Sequence, residues 1–221
     1  MLIIAVDGPA GAGKSTIVKK IAQAFDCVCV DTGAIYRTVG VFAARAGIPT
    51  DGIEAVVPLL EDMEVRVTFE DGVQKNYLNG EEVSAYLRTE EISKYASVVS
   101  ALPAVRAKFL SVQRDIAKEN SVVMDGRDIG TVVFPNADAK IFLTATPEER
   151  ARRRYVQYVE EGMSVPYEEV LRTVKERDAR DEQRAAAPLK PAEDAILVDT
   201  TGLNEEESVE LVIRLLKERL S

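Results

Sequence analysis

Lys14 and Ser15 end the run Gly8-Pro9-Ala10-Gly11-Ala12-Gly13-Lys14-Ser15, which Thr16 follows. The spacing G-x-x-x-x-G-K-[ST] is that of a loop that wraps phosphate groups. Each residue type has a physical task there. Gly8, Gly11 and Gly13 carry no side chain to keep backbone amides from closing around a phosphate. Lys14 would reach the terminal phosphates of a nucleotide, and the Ser15 hydroxyl would ligate Mg²⁺. A helix starting at this point adds unpaired N–H groups and a partial positive charge. A glycine turn that only joined a strand to a helix would need neither Lys14 nor Ser15.

Further charged clusters stand where ligands bind in open α/β sheets, outside the carboxyl ends of strands. Asp31-Thr32-Gly33, with Tyr36 and Arg37, follows one apolar run, and Asp125-Gly126-Arg127-Asp128 follows another. A carboxylate directly behind a strand, in a chain with a phosphate loop, is where a magnesium-orienting acid is expected. This makes Asp125 a candidate for that role, the competing reading being a turn or helix cap. Arg177, Arg180 and Arg184 recur at spacings of three and four, which predicts one helix face.

Eight of the seventeen arginines fall between Arg150 and Arg184. Arg150, Arg153 and Arg154 could simply be solvated and paired with Glu148, Glu149, Glu160 and Glu161. Taken alone, the alternating charges from Lys175 to Asp181 also read as an exposed helix. The phosphate loop shifts the balance, because phosphoryl transfer needs positioning and cations at the transferring group. Residues from about 150 to 184 are therefore expected to form an arginine-rich helical lid.

The elements that must position these groups alternate strand with helix, which predicts an α/β fold with a parallel sheet flanked by helices. Strands are expected at Leu2–Val6, Val28–Val30, Val122–Met124, Lys140–Leu143 and Ile196–Val198, each short and apolar, as strands buried on both faces should be. Ile17, Val18, Ile21, Ala22 and Phe25 mark one amphipathic helix, and Val105, Phe109, Val112 and Ile116 mark another from Pro103 to Lys118. Thr146-Pro147-Glu148-Glu149 and Asn204 with Glu207 read as helix starts. Between Glu64 and Val83, the pairs Asp71-Gly72 and Asn79-Gly80 signal hairpin turns. This small antiparallel insert is too short to fold alone and must dock on the rest.

The 221 residues are expected to form one domain. A net charge of −9 argues against a general nucleic-acid binder. No apolar run has the length of a membrane span, and the N-terminus reads as a core strand rather than a signal peptide. The two cysteines, Cys27 and Cys29, fit no four-ligand metal pattern and read as small core thiols in a reducing compartment. The chain has no histidine, which excludes Ser-His and Cys-His nucleophile systems. A cytoplasmic monomer is expected, since no exposed apolar heptad suggests self-association.

Five segments taken together, GPAGAGKST, DTGAIYR, ASVVSALPAVR, DGRDIGTVVFP and KERDARDEQRAAAPL, resemble the bacterial cytidylate kinases. The resemblance runs in the same order over nearly the whole chain. It implies a P-loop nucleoside monophosphate kinase that moves the γ-phosphate of ATP onto CMP or dCMP with Mg²⁺. It further implies that Gly8 to Thr16 bind ATP, and that about 33–106, including the insert, form the monophosphate-binding region. Thr32, Tyr36 and Arg37 would lie along that site, with Arg37 on the phosphate. Ser97, Arg106 and Asp128 would read cytosine, an aspartate accepting from the exocyclic amine while serine and arginine donate to O2 and N3. Arg127 and Arg184 would bind phosphate, and Arg177 and Asp181 would lie near the sugar. Lys14, Asp125, Arg127 and Arg184 are the expected catalytic groups. The competing enzyme reading is a P-loop kinase for UMP or shikimate. A GTP-dependent switch would need an N-K-x-D motif, which the chain lacks.

Overall fold

The computed structural model describes residues 1–221. Five parallel strands form the central sheet: β1 (Ile3–Asp7), β2 (Val28–Asp31), β6 (Val122–Gly126), β7 (Ala139–Thr144) and β8 (Ile196–Asp199), in the order β2-β6-β1-β7-β8. All five expected strands are present. Helices α1 (Lys14–Phe25), α2 (Thr32–Arg45), α4 (Pro103–Glu119) and α7 (Glu205–Leu220) connect or flank them. One apolar core joins β1, β7, α1 and α7 through Ile4, Ile21, Ile141, Leu143 and Leu216.

A second core, centred on Ile35, Val56, Met63, Val99 and Phe109, joins α2 to α3 (Glu90–Val99), α4 and the insert. The insert is a three-stranded antiparallel sheet, β3 (Val65–Glu70), β4 (Val73–Leu78) and β5 (Glu81–Glu82). Both hairpin turns take the left-handed backbone that their residue pairs favour, with φ of 50° and 74° at Asp71 and Gly72 and 48° and 85° at Asn79 and Gly80. Helices α5 (Pro147–Glu160) and α6 (Tyr167–Gln183) pack on each other through Ala151, Val170 and Val174, a small core of their own. Thr146 caps α5 by accepting from Glu149 N, and Asn204 with Glu207 forms a capping box on α7.

The turn from β1 into the phosphate loop admits only glycine. Gly8 has φ +147°, and a Cβ there would lie 1.9 Å from the Leu143 carbonyl oxygen of the neighbouring strand. Gly8→Ala is expected to lower unfolding free energy by about 3 kcal/mol or more, measured by chemical denaturation.

Candidate active site

A cleft of about 640 Å³ opens at the carboxyl ends of β1, β2 and β6, where a ligand is expected in such a sheet. Its walls carry nine lysines and arginines against five acids, in a chain whose net charge is −9. Positive charge is thus concentrated where the rest of the molecule is acidic, which favours an anionic ligand.

At the phosphate-loop end, α1 starts behind Gly13, which brings no capping side chain, so the first-turn N–H groups are left for a ligand. Lys14 is only 6% exposed. Its Nζ donates to the carbonyls of Gly8 and Pro9 at 2.9 Å each and lies 3.8 Å from Asp125 Oδ1. Burial pushes the ammonium down to about 8, with the charge of Arg127 acting in the same direction and Asp125 opposing it. An anion beside Lys14 would relieve that strain. Ser15 Oγ donates to Asp125 Oδ2 at 3.3 Å. Burial raises the Asp125 carboxyl, against the pull of Lys14. A hydroxyl next to one carboxylate is a hard, all-oxygen donor set, which fits a magnesium ion that takes its other ligands from phosphates and water. Ala10 to Thr16 line the cleft; Gly8 does not, and Pro9 faces a second cavity behind the loop.

At the other end, Thr32 Oγ1 donates to the Asp125 carbonyl at 2.7 Å, which pins the start of α2 to β6. One turn on, Tyr36 and Arg37 face the cleft, Arg37 paired with Asp31 at 2.5 Å. Asp128 pairs with Arg106 and lies 3.6 Å from Arg184 Nη2. The Arg106 guanidinium also stands 5.4 Å over the Tyr36 ring and donates to the Ser100 carbonyl at 3.1 Å. Arg127 Nε donates to Asp181 Oδ2 at 3.0 Å. Burial works to raise the Asp181 carboxyl, but Arg127 and Arg177 together outweigh it and leave the group below its ordinary value. Arg177 is brought down to about 10, by burial first and then by Arg127.

The hydrogen-bond inventory points the same way. Of six buried side-chain polar atoms without a partner, four belong to cleft residues: Arg37 Nε, Ser97 Oγ, Arg177 Nε and Arg184 Nη2. A buried donor left unpaired costs roughly 1–3 kcal/mol, so their concentration on residues of one cleft fits a site built to take a polar ligand.

The structure therefore gathers Lys14, Ser15, Thr32, Tyr36, Arg37, Ser97, Arg106, Asp125, Arg127, Asp128, Arg177, Asp181 and Arg184 around one cleft. It also corrects two expectations. Arg184 lies beyond the end of α6 at Gln183, in extended backbone, and Arg180 is exposed away from the cleft, so Arg177, Arg180 and Arg184 do not share a helix face. Within the charge run from Lys175 to Asp181, expected in the lid, Asp181 stands opposite Arg127 and is 6% exposed. Arg150 is 3% exposed and fully committed to the scaffold, donating to Ala145 O, Ala10 O and both oxygens of Asp178. Of the α5 arginines, Arg152, Arg153 and Arg154 reach the cleft.

Sequence reasoning missed Asp7. It ends β1, is 4% exposed, and accepts from Ile129 N at 2.8 Å and Gly130 N at 2.7 Å. It thereby ties the phosphate-loop strand to the backbone just after Asp128. Burial pushes its carboxyl up to about 6, against those two N–H donors. The available signal was a lone acid closing an apolar strand. The α7 start (Asn204, Glu205, Ser208) also lines the cleft and carried no such signal.

Comparison with known proteins agrees with this geometry. The family model described as cytidylate kinase matches residues 4–218. Cytidylate kinase of Syntrophotalea carbinolica is 47% identical over 99% of this chain and 93% of its own. That of Caldicellulosiruptor saccharolyticus is 45% identical over 96% and 94%, and that of Pasteurella multocida 43% over 99% and 96%. An uncharacterized protein from Eubacterium ventriosum has a solved structure sharing the fold, with a TM-score of 0.51 at 12% identity over 98% of this chain and 99% of that one. With a P-loop kinase core and the acceptor cleft described above, this chain belongs to the cytidylate kinase family.

Proposed function

We propose that the protein transfers the γ-phosphoryl group of ATP to CMP or dCMP, giving ADP and CDP or dCDP. The observation that carries this reading is Asp128, a buried carboxylate held between Arg106 and Arg184 in a cleft where Ser97 Oγ has no partner. An aspartate accepts from the exocyclic amine of cytosine. Uracil presents a carbonyl at that position, so acceptor would face acceptor. Arg106 and Ser97 supply the donors for the ring O2 and N3.

In this reading Gly8 to Thr16 hold the ATP phosphates, and Arg37, Arg127 and Arg184 hold the acceptor phosphate. Arg177 and Asp181 lie at the sugar. Lys14 and the arginines balance charge on the transferring group, the kind of positioning and electrostatic support that phosphoryl transfer requires. An oxygen of the acceptor phosphate forms the new bond to the γ-phosphorus as the bond to the β,γ-bridging oxygen breaks and ADP leaves. That phosphate is largely dianionic at neutral pH, so no strong base is needed. Ser15 and Asp125 would hold Mg²⁺, which supplies charge neutralisation on the phosphates when bound. Residues 33–106 serve as the monophosphate-binding region and 150–184 as a lid whose closure excludes water.

The same reading takes the protein as a cytoplasmic monomer. Its large exposed apolar side chains, such as Val73, Val159 and Leu197, are scattered over different elements. Cys27 and Cys29 are free thiols, and no helix is long and apolar enough to cross a membrane. ADP release measured with CMP, dCMP, UMP, AMP and shikimate as acceptors tests the function. CMP and dCMP should be used best; equal or better use of any other acceptor would overturn it.

A further inference from the structure

The insert reaches the acceptor site through one side chain. Strand β2 is an edge of the five-stranded sheet, and its last residue, Asp31, has no strand beyond it to pair with. Gln74 of β4 takes that place. Asp31 N donates to Gln74 Oε1 at 2.8 Å, and Gln74 Nε2 donates to the Asp31 carbonyl at 3.1 Å. A primary amide offers the same donor and acceptor as a peptide unit, so Gln74 satisfies both main-chain groups of the edge residue at once. The amide is itself held from within the insert: Nε2 also donates to Oδ1 of Asn76 at 3.0 Å, and Asn76 is only 3% exposed.

What Gln74 holds in place is the residue that aims Arg37. Asp31 Oδ1 accepts from Ala34 N at 3.1 Å, and Oδ2 accepts from Arg37 Nη2 at 2.5 Å. The pair closes over Gly33, where a Cβ would lie 3.0 Å from Asp31 Oδ1 and 3.2 Å from Arg37 Nη1. The carboxylate thus holds one end of the guanidinium of Arg37, a cleft residue whose buried Nε has no hydrogen-bond partner.

We propose that Gln74 is a positioning residue for the acceptor phosphate: by pairing with the Asp31 main chain it fixes the carboxylate that orients Arg37. The proposal rests on the reading of Arg37 as a ligand of that phosphate. A Gln74 that merely glued the insert to the sheet would change stability, and any loss of CMP affinity would be the same with and without Arg37.

Calorimetric titration of CMP and of ATP, separately, into the wild type, Gln74→Leu, Arg37→Ala and the double variant separates these cases, with a thermal melt of each. Gln74→Leu is expected to weaken CMP binding about tenfold while ATP binding changes less than about twofold. In the Arg37→Ala background the same change should cost almost nothing more, because the two residues act on one contact. Unchanged CMP affinity in a folded Gln74→Leu, or an equal loss in both backgrounds, would overturn the proposal. If leucine prevents folding, Gln74→Glu carries the same cycle, since it keeps an acceptor for Asp31 N and loses the donor. Should the wild type bind another monophosphate in place of CMP, the base assignment fails and the cycle, run with that monophosphate, still decides the role of Gln74.

Discussion

Lys14→Ala is expected to lower kcat by about 10²–10³-fold while the protein stays folded, the scale set by removing one preorganised donor at a developing charge. Nothing in the apolar core depends on Lys14. Its ammonium donates to the carbonyls of Gly8 and Pro9, and it is desolvated enough for its pKa to fall to about 8. A group held at that cost, 3.8 Å from Asp125 and at the start of an uncapped helix, is the basis for proposing that Lys14 serves phosphate rather than stability. Steady-state kcat and a thermal melt of the same preparation check this together. Near-normal turnover would remove Lys14 from the reaction.

Asp128→Asn is expected to lower the ratio of kcat/KM for CMP over UMP by about 10- to 100-fold, the value of one well-placed polar pair. The ratio is the informative quantity, because the substitution also acts on the fold. Arg106 and Arg184 would lose their shared counter-ion, and breaking a buried pair from one side costs about 3–5 kcal/mol. Absolute rates will therefore fall for both acceptors. A change confined to stability lowers both acceptors alike, and an unchanged ratio would show that Asp128 does not read the base.

Local signals carried much of this architecture. Asp71-Gly72 and Asn79-Gly80 announce the insert because few other pairs accept two successive left-handed residues. The capping box at Asn204 and Glu207 marks the α7 start to the residue. What stayed hidden depends on partners distant in the chain. Asp7 bonds to backbone 122 and 123 residues away, and Gln74 to backbone 43 away. Arg150 looked like its lid neighbours until Asp178, 28 residues on, was found opposite it. An alternating charge run has one local pattern whether it faces water or a buried counter-ion. For Asp181 the deciding fact was Arg127, which periodicity along α6 cannot supply. The end of α6 before Arg184 was likewise misread, because the three-and-four spacing persists past the last helical residue.

In the proposed reading Gly8 to Thr16 grip a triphosphate, and Arg37, Arg106, Asp128 and Arg184 decide what receives the phosphoryl group. The most direct test of that division is a crystal structure with CMP bound. The account predicts the cytosine amine within hydrogen-bond distance of Asp128 and the phosphate on Arg37, Arg127 and Arg184. A base bound away from Asp128, or a phosphate that leaves those arginines untouched, would contradict it.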